Sequence, residues 1–187
     1  SLLVKTSKIT MKKRLKKKKM FGLLKKKLNQ KIQSGYLVQH NLYNFYKLSN
    51  NIKANEGFRS YVYKDQFNNP TIGYGHLITV TDVFFSNKKY SKEILVNIFY
   101  KDLKKSISDF KKNYNYKNIP NCVQETIIEM IFQLGIKNVL KFKKFNLHIK
   151  KKQYYLAAFE MMKSRWYDQT PNRVNKLIVT LLQFNDR

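Results

Sequence analysis

Cysteine is almost absent from this chain of 187 residues: Cys122 stands alone, which excludes an intramolecular disulfide framework and any metal site built from clustered thiolates. Histidine is nearly as scarce, and His40, His76 and His148 are too scattered to suggest a metal site of their own. Acidic residues number 11 against 38 Lys+Arg, and the first of them is Glu56. The formal net charge of +27 excludes an ordinary acidic or neutral housekeeping enzyme and points to a polyanionic partner or substrate. No run approaches the roughly 18 consecutive apolar residues that a membrane-spanning helix requires, so no transmembrane segment is expected. The N-terminal basic stretch is followed by neither an apolar core nor a small-residue cleavage site, so no secretory signal is expected either. Ala (3), Gly (6), Pro (3) and Arg (5) are few while Lys reaches 33, the bias of an A/T-rich coding genome. Neither organism nor compartment follows from that.

What is present is a capacity to fold. Hydrophobic residues make up 43% of the chain and aromatics 14%, enough to bury a core despite the charge. The charge is also unevenly placed, because residues 1–55 carry 15 Lys+Arg and no acid. Lys12, Lys13, Arg14, Lys16, Lys17, Lys18 and Lys19 form one block, and Lys25, Lys26 and Lys27 a second. Such blocks repel themselves and should stay unfolded unless an anion neutralises them. They are either a solvated arm or a polyanion-binding one, its target a nucleic acid, a cell-wall polymer or an anionic membrane. We therefore divide the chain into a basic extension, 1–35, and a folded domain, 36–187.

Within that domain, Leu42, Phe45, Tyr46 and Leu48 recur near helical spacing, predicting a helix from Tyr36 to Ala54. Phe58–Lys64 alternates, and Asn68-Asn69-Pro70 is a turn signal before Thr71–Gly75, which together predict a small β-hairpin or meander. Ser91, as an N-cap, precedes Ile94, Leu95, Ile98, Phe99, Leu103 and Ile107, a long helix reaching a break at Asn113–Pro120. Helical patterns follow at Cys122–Leu134, Asn138–His148, Tyr154–Ser164 and Asn172–Phe184. The fold class is thus α+β, mostly α: a small β lobe joined by a long helix to a helical lobe.

Chemistry concentrates after the leading helix. Glu56 and Asp65 stand nine residues apart, with Thr71 six residues further on. Two carboxyls and a hydroxyl facing one cleft suit glycoside hydrolysis, in which one carboxyl is protonated to assist the leaving oxygen and the other ionised to activate water. Spacing alone does not separate such a pair from ordinary surface charge. The surrounding wording does more: Glu56-Gly57, then Tyr63-Lys64-Asp65, then Thr71-Ile72-Gly73-Tyr74-Gly75-His76. Two further segments are Met130-Ile131-Phe132-Gln133-Leu134-Gly135 and Arg165-Trp166-Tyr167-Asp168-Gln169-Thr170-Pro171-Asn172-Arg173. In these residues the chain resembles the phage-type (T4-like) lysozymes and endolysins, from about Asn51 to Phe184.

The resemblance implies a lysozyme-like fold with 36–50 as leading helix, 51–90 as catalytic and β lobe, 91–112 as linking helix and 113–187 as helical lobe. It implies a muramidase acting on peptidoglycan, with no cofactor. Glu56 would be the general acid, Asp65 the base or electrostatic partner, and Thr71 the group that positions the attacking water. Arg173 would pair with Glu56, as part of the acid's machinery or as a purely structural ion pair. His76 would pair with Asp102 and orient the loop. Phe132, Gln133 and Leu77 would line the sugar cleft, Phe132 being equally suited to the core; Trp166 reads as core. The separation of His76 and Asp102 by 26 residues implies that a small helix of the β lobe is missing. Phe145 and Glu160 would stand where the family places small polar groups at the cleft, and so could obstruct it. A second reading reuses the fold as a non-catalytic, RNA-binding subunit of a large assembly such as a protist mitochondrial ribosome, with the arm laid along phosphates.

Overall fold

A computed structural model describes residues 44–65 and 68–185. The basic blocks at Lys12–Lys19 and Lys25–Lys27, and the start of the leading helix, lie outside the described residues. From Leu48 onward the chain forms one compact unit. Its first element is the end of a helix, α1, described over 44–56. The helix runs two residues past Ala54, so that Glu56 is its last residue. The stop has a local cause: Gly57 takes φ +69°, the left-handed conformation that closes helices, and its N–H returns to the Lys53 carbonyl at 3.1 Å.

A three-stranded antiparallel sheet follows in the order β1-β2-β3, from β1 (Arg59–Lys64), β2 (Pro70–Gly73) and β3 (His76–Leu77). The register slips between Arg59 and Tyr63, where three residues of β1, 60–62, are matched by Ile72 alone of β2. This bulge explains why the inside-outside alternation of β1 is imperfect and why Val62 and Tyr63 are both half-buried. Ile72 of β2 is fully buried. Between β3 and the next helix, residues 78–91 contain no helix.

The linking helix α2 (Lys92–Asn113) begins at Ser91, whose hydroxyl accepts from the Ile94 N–H at 3.4 Å. Leu95, Phe99, Leu103 and Phe110 fall on one face at helical spacing and are all buried. They meet α3 (Asn121–Leu134), whose Val123, Ile127, Met130 and Ile131 are buried in turn. A single 3₁₀ turn, Tyr116–Asn118, occupies the break between the two helices.

The segment expected as one helix over Asn138–His148 is instead two, α4 (Ile136–Val139) and α5 (Lys143–Lys150). The Asn146 side-chain amide donates to the carbonyls of Val139 at 2.8 Å and Phe142 at 3.0 Å, tying the first turn of α5 back to the end of α4. Next come α6 (Tyr154–Met162), a short α7 (Arg165–Gln169) capped by the Ser164 hydroxyl, and α8 (Pro171–Asn185), which starts on a proline. Ala157, Ala158 and Met161 of α6 pack against Val174, Ile178 and Leu181 of α8, and α8 also lies on α3. The start of α8 is thereby held against the helix that carries Phe132 and Gln133.

Candidate active site

A cleft of about 1020 Å³ opens in this unit. Its walls include Glu56, Asp65, Thr71, Leu77, Phe132, Gln133 and Arg173. Segments far apart in sequence thus meet at one cavity: the end of α1, the β1–β2 turn, β3, the end of α3 and the start of α8.

Glu56 is the central group. Its carboxylate lies 2.9 Å from the Arg173 guanidinium, and both side chains are largely buried, 15% and 10% exposed. Burial pushes the Glu56 carboxyl above its ordinary value; the charge and hydrogen bond of Arg173 pull it down, and the negative charge of Glu129 adds to the rise. The net direction is upward, so desolvation outweighs the ion pair. Gly75 is part of this arrangement. A Cβ there would stand 2.9 Å from Glu56 Oε2, and the residue has φ +79°, so only glycine leaves the carboxyl its place.

Asp65 follows β1 and is gripped by the turn after it. Its two carboxylate oxygens accept from the Asn69 N–H at 2.8 Å and the Asn69 side-chain amide at 3.2 Å. The Asp65 N–H donates in return to the Asn69 carbonyl at 2.9 Å. Thr71 is buried, and its hydroxyl donates to that same carbonyl at 3.1 Å. With its proton committed there, Thr71 Oγ1 keeps its lone pairs for a donor in the cleft.

Trp166 is buried, and its indole N–H donates to Gln133 Oε1 at 2.9 Å, which fixes the Gln133 amide at the cleft wall. Phe132 borders the cleft while its ring also meets core Phe99 at 5.4 Å, so it serves both roles. Leu77 is half exposed at the rim.

Phe145 and Glu160 are not walls of the cleft. Phe145 is buried on α5, and both residues border a separate small pocket with Lys141, Phe142, Lys143 and Lys144. Phe145 on α5 and Glu160 on α6 belong to two helices that pack on each other and contribute no wall to the cleft. The expected obstruction is therefore withdrawn.

His76 Nδ1 and Asp102 Oδ2 are 2.8 Å apart. A second carboxylate, Asp82, stands 3.4 Å from the other ring nitrogen. Sequence reasoning missed it; its signal is Thr79-Val80-Thr81-Asp82, a turn in which the Thr79 N–H and hydroxyl donate to Asp82 Oδ2 at 2.8 and 2.7 Å. Other residues missed are Asn55 and Lys176, which line the cleft, and Glu129, buried behind it. Arg59 and Tyr63 of β1 were missed as well; they line the cleft with the guanidinium 4.5 Å from the ring centre. Among the described residues no cluster of three or more His, Cys, Asp or Glu could hold a metal, and no helix is long and apolar enough to cross a membrane.

A buried carboxyl with a raised proton affinity, sharing one cleft with a second carboxylate and a buried hydroxyl, is an arrangement on which glycoside hydrolysis can run. Comparison with known proteins gives the same class. A sequence model of the phage lysozyme family matches residues 53–179. Two relatives from Dictyostelium discoideum are similar along most of their length. Probable T4-type lysozyme 1 is 33% identical over 150 residues, 68% of this chain and 88% of its own. Probable T4-type lysozyme 2 is 32% identical over 154 residues, 70% and 91% of the two chains. A third, the pre-baseplate central spike protein of Enterobacteria phage T4, is 28% identical over 156 residues, covering 72% of this chain and 27% of its own. The chain belongs to the phage lysozyme family.

The His76 cluster has a measurable consequence. The Asp102 hydrogen bond and the charges of Asp102 and Asp82 raise the His76 value above 6.5, against the opposing effect of burial. A group bound more tightly to its proton in the folded state stabilises fully below its unfolded value, and that contribution is lost as pH rises through the folded value. Thermal unfolding should therefore show Tm falling from about pH 6 to about pH 8, and His76→Gln should flatten that slope. An unchanged slope in the variant would remove the cluster as its source.

Proposed function

We propose that this chain is a muramidase that hydrolyses the β-1,4 bond between N-acetylmuramic acid and N-acetylglucosamine in peptidoglycan. The observation that carries this reading is the buried Glu56 carboxyl, its proton affinity raised despite Arg173, in a cleft shared with Asp65 and Thr71. Membership of a lysozyme family supplies the substrate class.

Each role follows from what its side chain can do. Burial penalises the Glu56 carboxylate and so favours the protonated form, from which the proton would pass to the glycosidic oxygen as the bond breaks. Arg173 then stabilises the carboxylate left behind. The two donors from Asn69 favour Asp65 as a carboxylate and steady its direction. An attacking water would give one hydrogen bond to Asp65 and the other to Thr71 Oγ1, whose own proton is turned to the Asn69 carbonyl. A water placed in this way attacks the face opposite the leaving group, so the anomeric centre inverts. Gln133, Phe132 and Leu77 border the space for the sugars. Acid and base are both side chains, so the reading requires no cofactor.

The cleft is also cationic: Arg59, Lys64 and Lys176 line it besides Arg173, and would attract the anionic groups of wall strands. We assign the basic extension, residues 1–35, to the same task, with Lys12–Lys19 and Lys25–Lys27 holding the enzyme to a polyanion by salt-sensitive attraction. The reading as an RNA-binding assembly subunit rested on that arm and on composition, and the matched relatives do not support it.

Reducing-sugar release from purified peptidoglycan checks the assignment: Glu56→Gln should lower it by at least about 100-fold while Tm shows a folded protein. Unchanged release in that variant would sink the mechanism. Removal of residues 1–35 should weaken retention on peptidoglycan at low salt and flatten its dependence on salt concentration, with the remaining domain folded. Retention as strong and as salt-sensitive as that of the full chain would strip the arm of its role.

A further inference from the structure

Glu129 is the most deeply buried charged residue among the described residues, 5% exposed, and the hydrolytic scheme above gives it no task. Burying a carboxyl is costly, so its partners should show what it is for. Asn55 donates from its side-chain amide to Glu129 Oε1 at 2.6 Å. The side-chain oxygen of Asn55, Oδ1, accepts from Lys176 Nζ at 3.1 Å. An ammonium can only donate, so Lys176 dictates which way the Asn55 amide faces and leaves its NH₂ for Glu129. Asn55 directly precedes Glu56 on α1, and Lys176 follows Arg173 by three residues on α8, on the same helical face. The contacts therefore make a frame: Glu129 on α3, Asn55 and Glu56 on α1, and Lys176 and Arg173 on α8, joined at the far side by the Glu56–Arg173 ion pair of 2.9 Å.

Resting on the muramidase reading, we propose that Glu129 is a positioning residue for the acid: a fixed counter-charge behind the cleft that shares the field of Arg173 with Glu56 and so leaves Glu56 the proton donor. Burial pushes the Glu129 carboxyl above its ordinary value, and the short Asn55 hydrogen bond with the charges of Arg173 and Lys176 opposes that rise, so the frame supplies three groups that favour its ionised form. Glu56 faces the cleft with Arg173 as its direct partner, and the Glu129 charge acts against its ionisation. Other charged or titratable groups facing Glu56 are Tyr63 and, through Tyr63, Arg59 and Asp65 on the β-lobe side of the cleft. None of these belongs to the frame, so changing Glu129 leaves them in place.

The test is the titration of the Glu56 side-chain carboxyl, followed by carbon NMR in the full chain and assigned by its loss in Glu56→Gln. It is paired with the pH profile of peptidoglycan hydrolysis. In Glu129→Gln, which keeps shape and removes charge, the Glu56 midpoint should move down by roughly half a unit or more. The alkaline limb of kcat/KM should move down with it. Glu129→Met removes the same charge without an amide and should shift both in the same direction, which covers failure of either variant to fold. An unshifted midpoint in a folded variant overturns the proposal, since a purely structural Glu129 would alter Tm and leave the titration alone. If the wild type hydrolyses no peptidoglycan, the muramidase reading fails, while the NMR titration still decides whether Glu129 acts on Glu56.

Discussion

Burial of the Glu56 carboxyl beside the Arg173 guanidinium places two opposing effects on one proton. An exposed ion pair would lower the proton affinity of the acid and leave it a spectator near neutrality. Here the pair is enclosed by the end of α1, Gly75 and the start of α8, and the cost of ionising a desolvated carboxyl exceeds the attraction of the cation. Much of the surrounding structure can be understood as keeping that balance. Gly57 ends α1 at Glu56, Gly75 leaves room for its oxygen, and α8 begins two residues before Arg173.

The helical lobe supplies the stiffness such a balance needs. α8 is fixed by its packing on α6 and α3, and α3 in turn by the buried face of α2. Trp166 is fastened to Gln133, and Asn55 bridges Glu129 and Lys176, so polar contacts join the same helices that the apolar core joins. A small shift of α8 would therefore move Arg173 and Lys176 together, changing the pairing of Glu56 and the surroundings of Glu129 at once. The β lobe is held differently, through Asn69, which takes the Asp65 carboxylate with its donors and the Thr71 hydroxyl with its carbonyl.

Local grammar explains how much of the site the sequence revealed. Glu56, Asp65 and Thr71 lie within sixteen residues of one another, so a motif can carry them, and the structure brings all three to one cleft. The long helix from Ser91 was legible because its cap and apolar period are both local. The residues that escaped depend on tertiary approach. Glu129 sits directly before a recognised segment, yet nothing in α3 alone says that its side chain meets Asn55 from another helix. Asp82 was hidden because only the turn at Thr79 brings it to His76. Placement is the third limit: the resemblance put Phe145 and Glu160 at the cleft, yet they stand on α5 and α6, neither of which contributes a wall to it. The leading helix ran two residues beyond expectation because Gly57, not Ala54, stops it.

The titration midpoint of the wild-type Glu56 carboxyl, set against that of an exposed glutamate in the same protein, probes this balance most directly. It should lie above the exposed one, because burial outweighs Arg173. A midpoint at or below the exposed value would mean that the ion pair dominates, and Glu56 could not then serve as the acid.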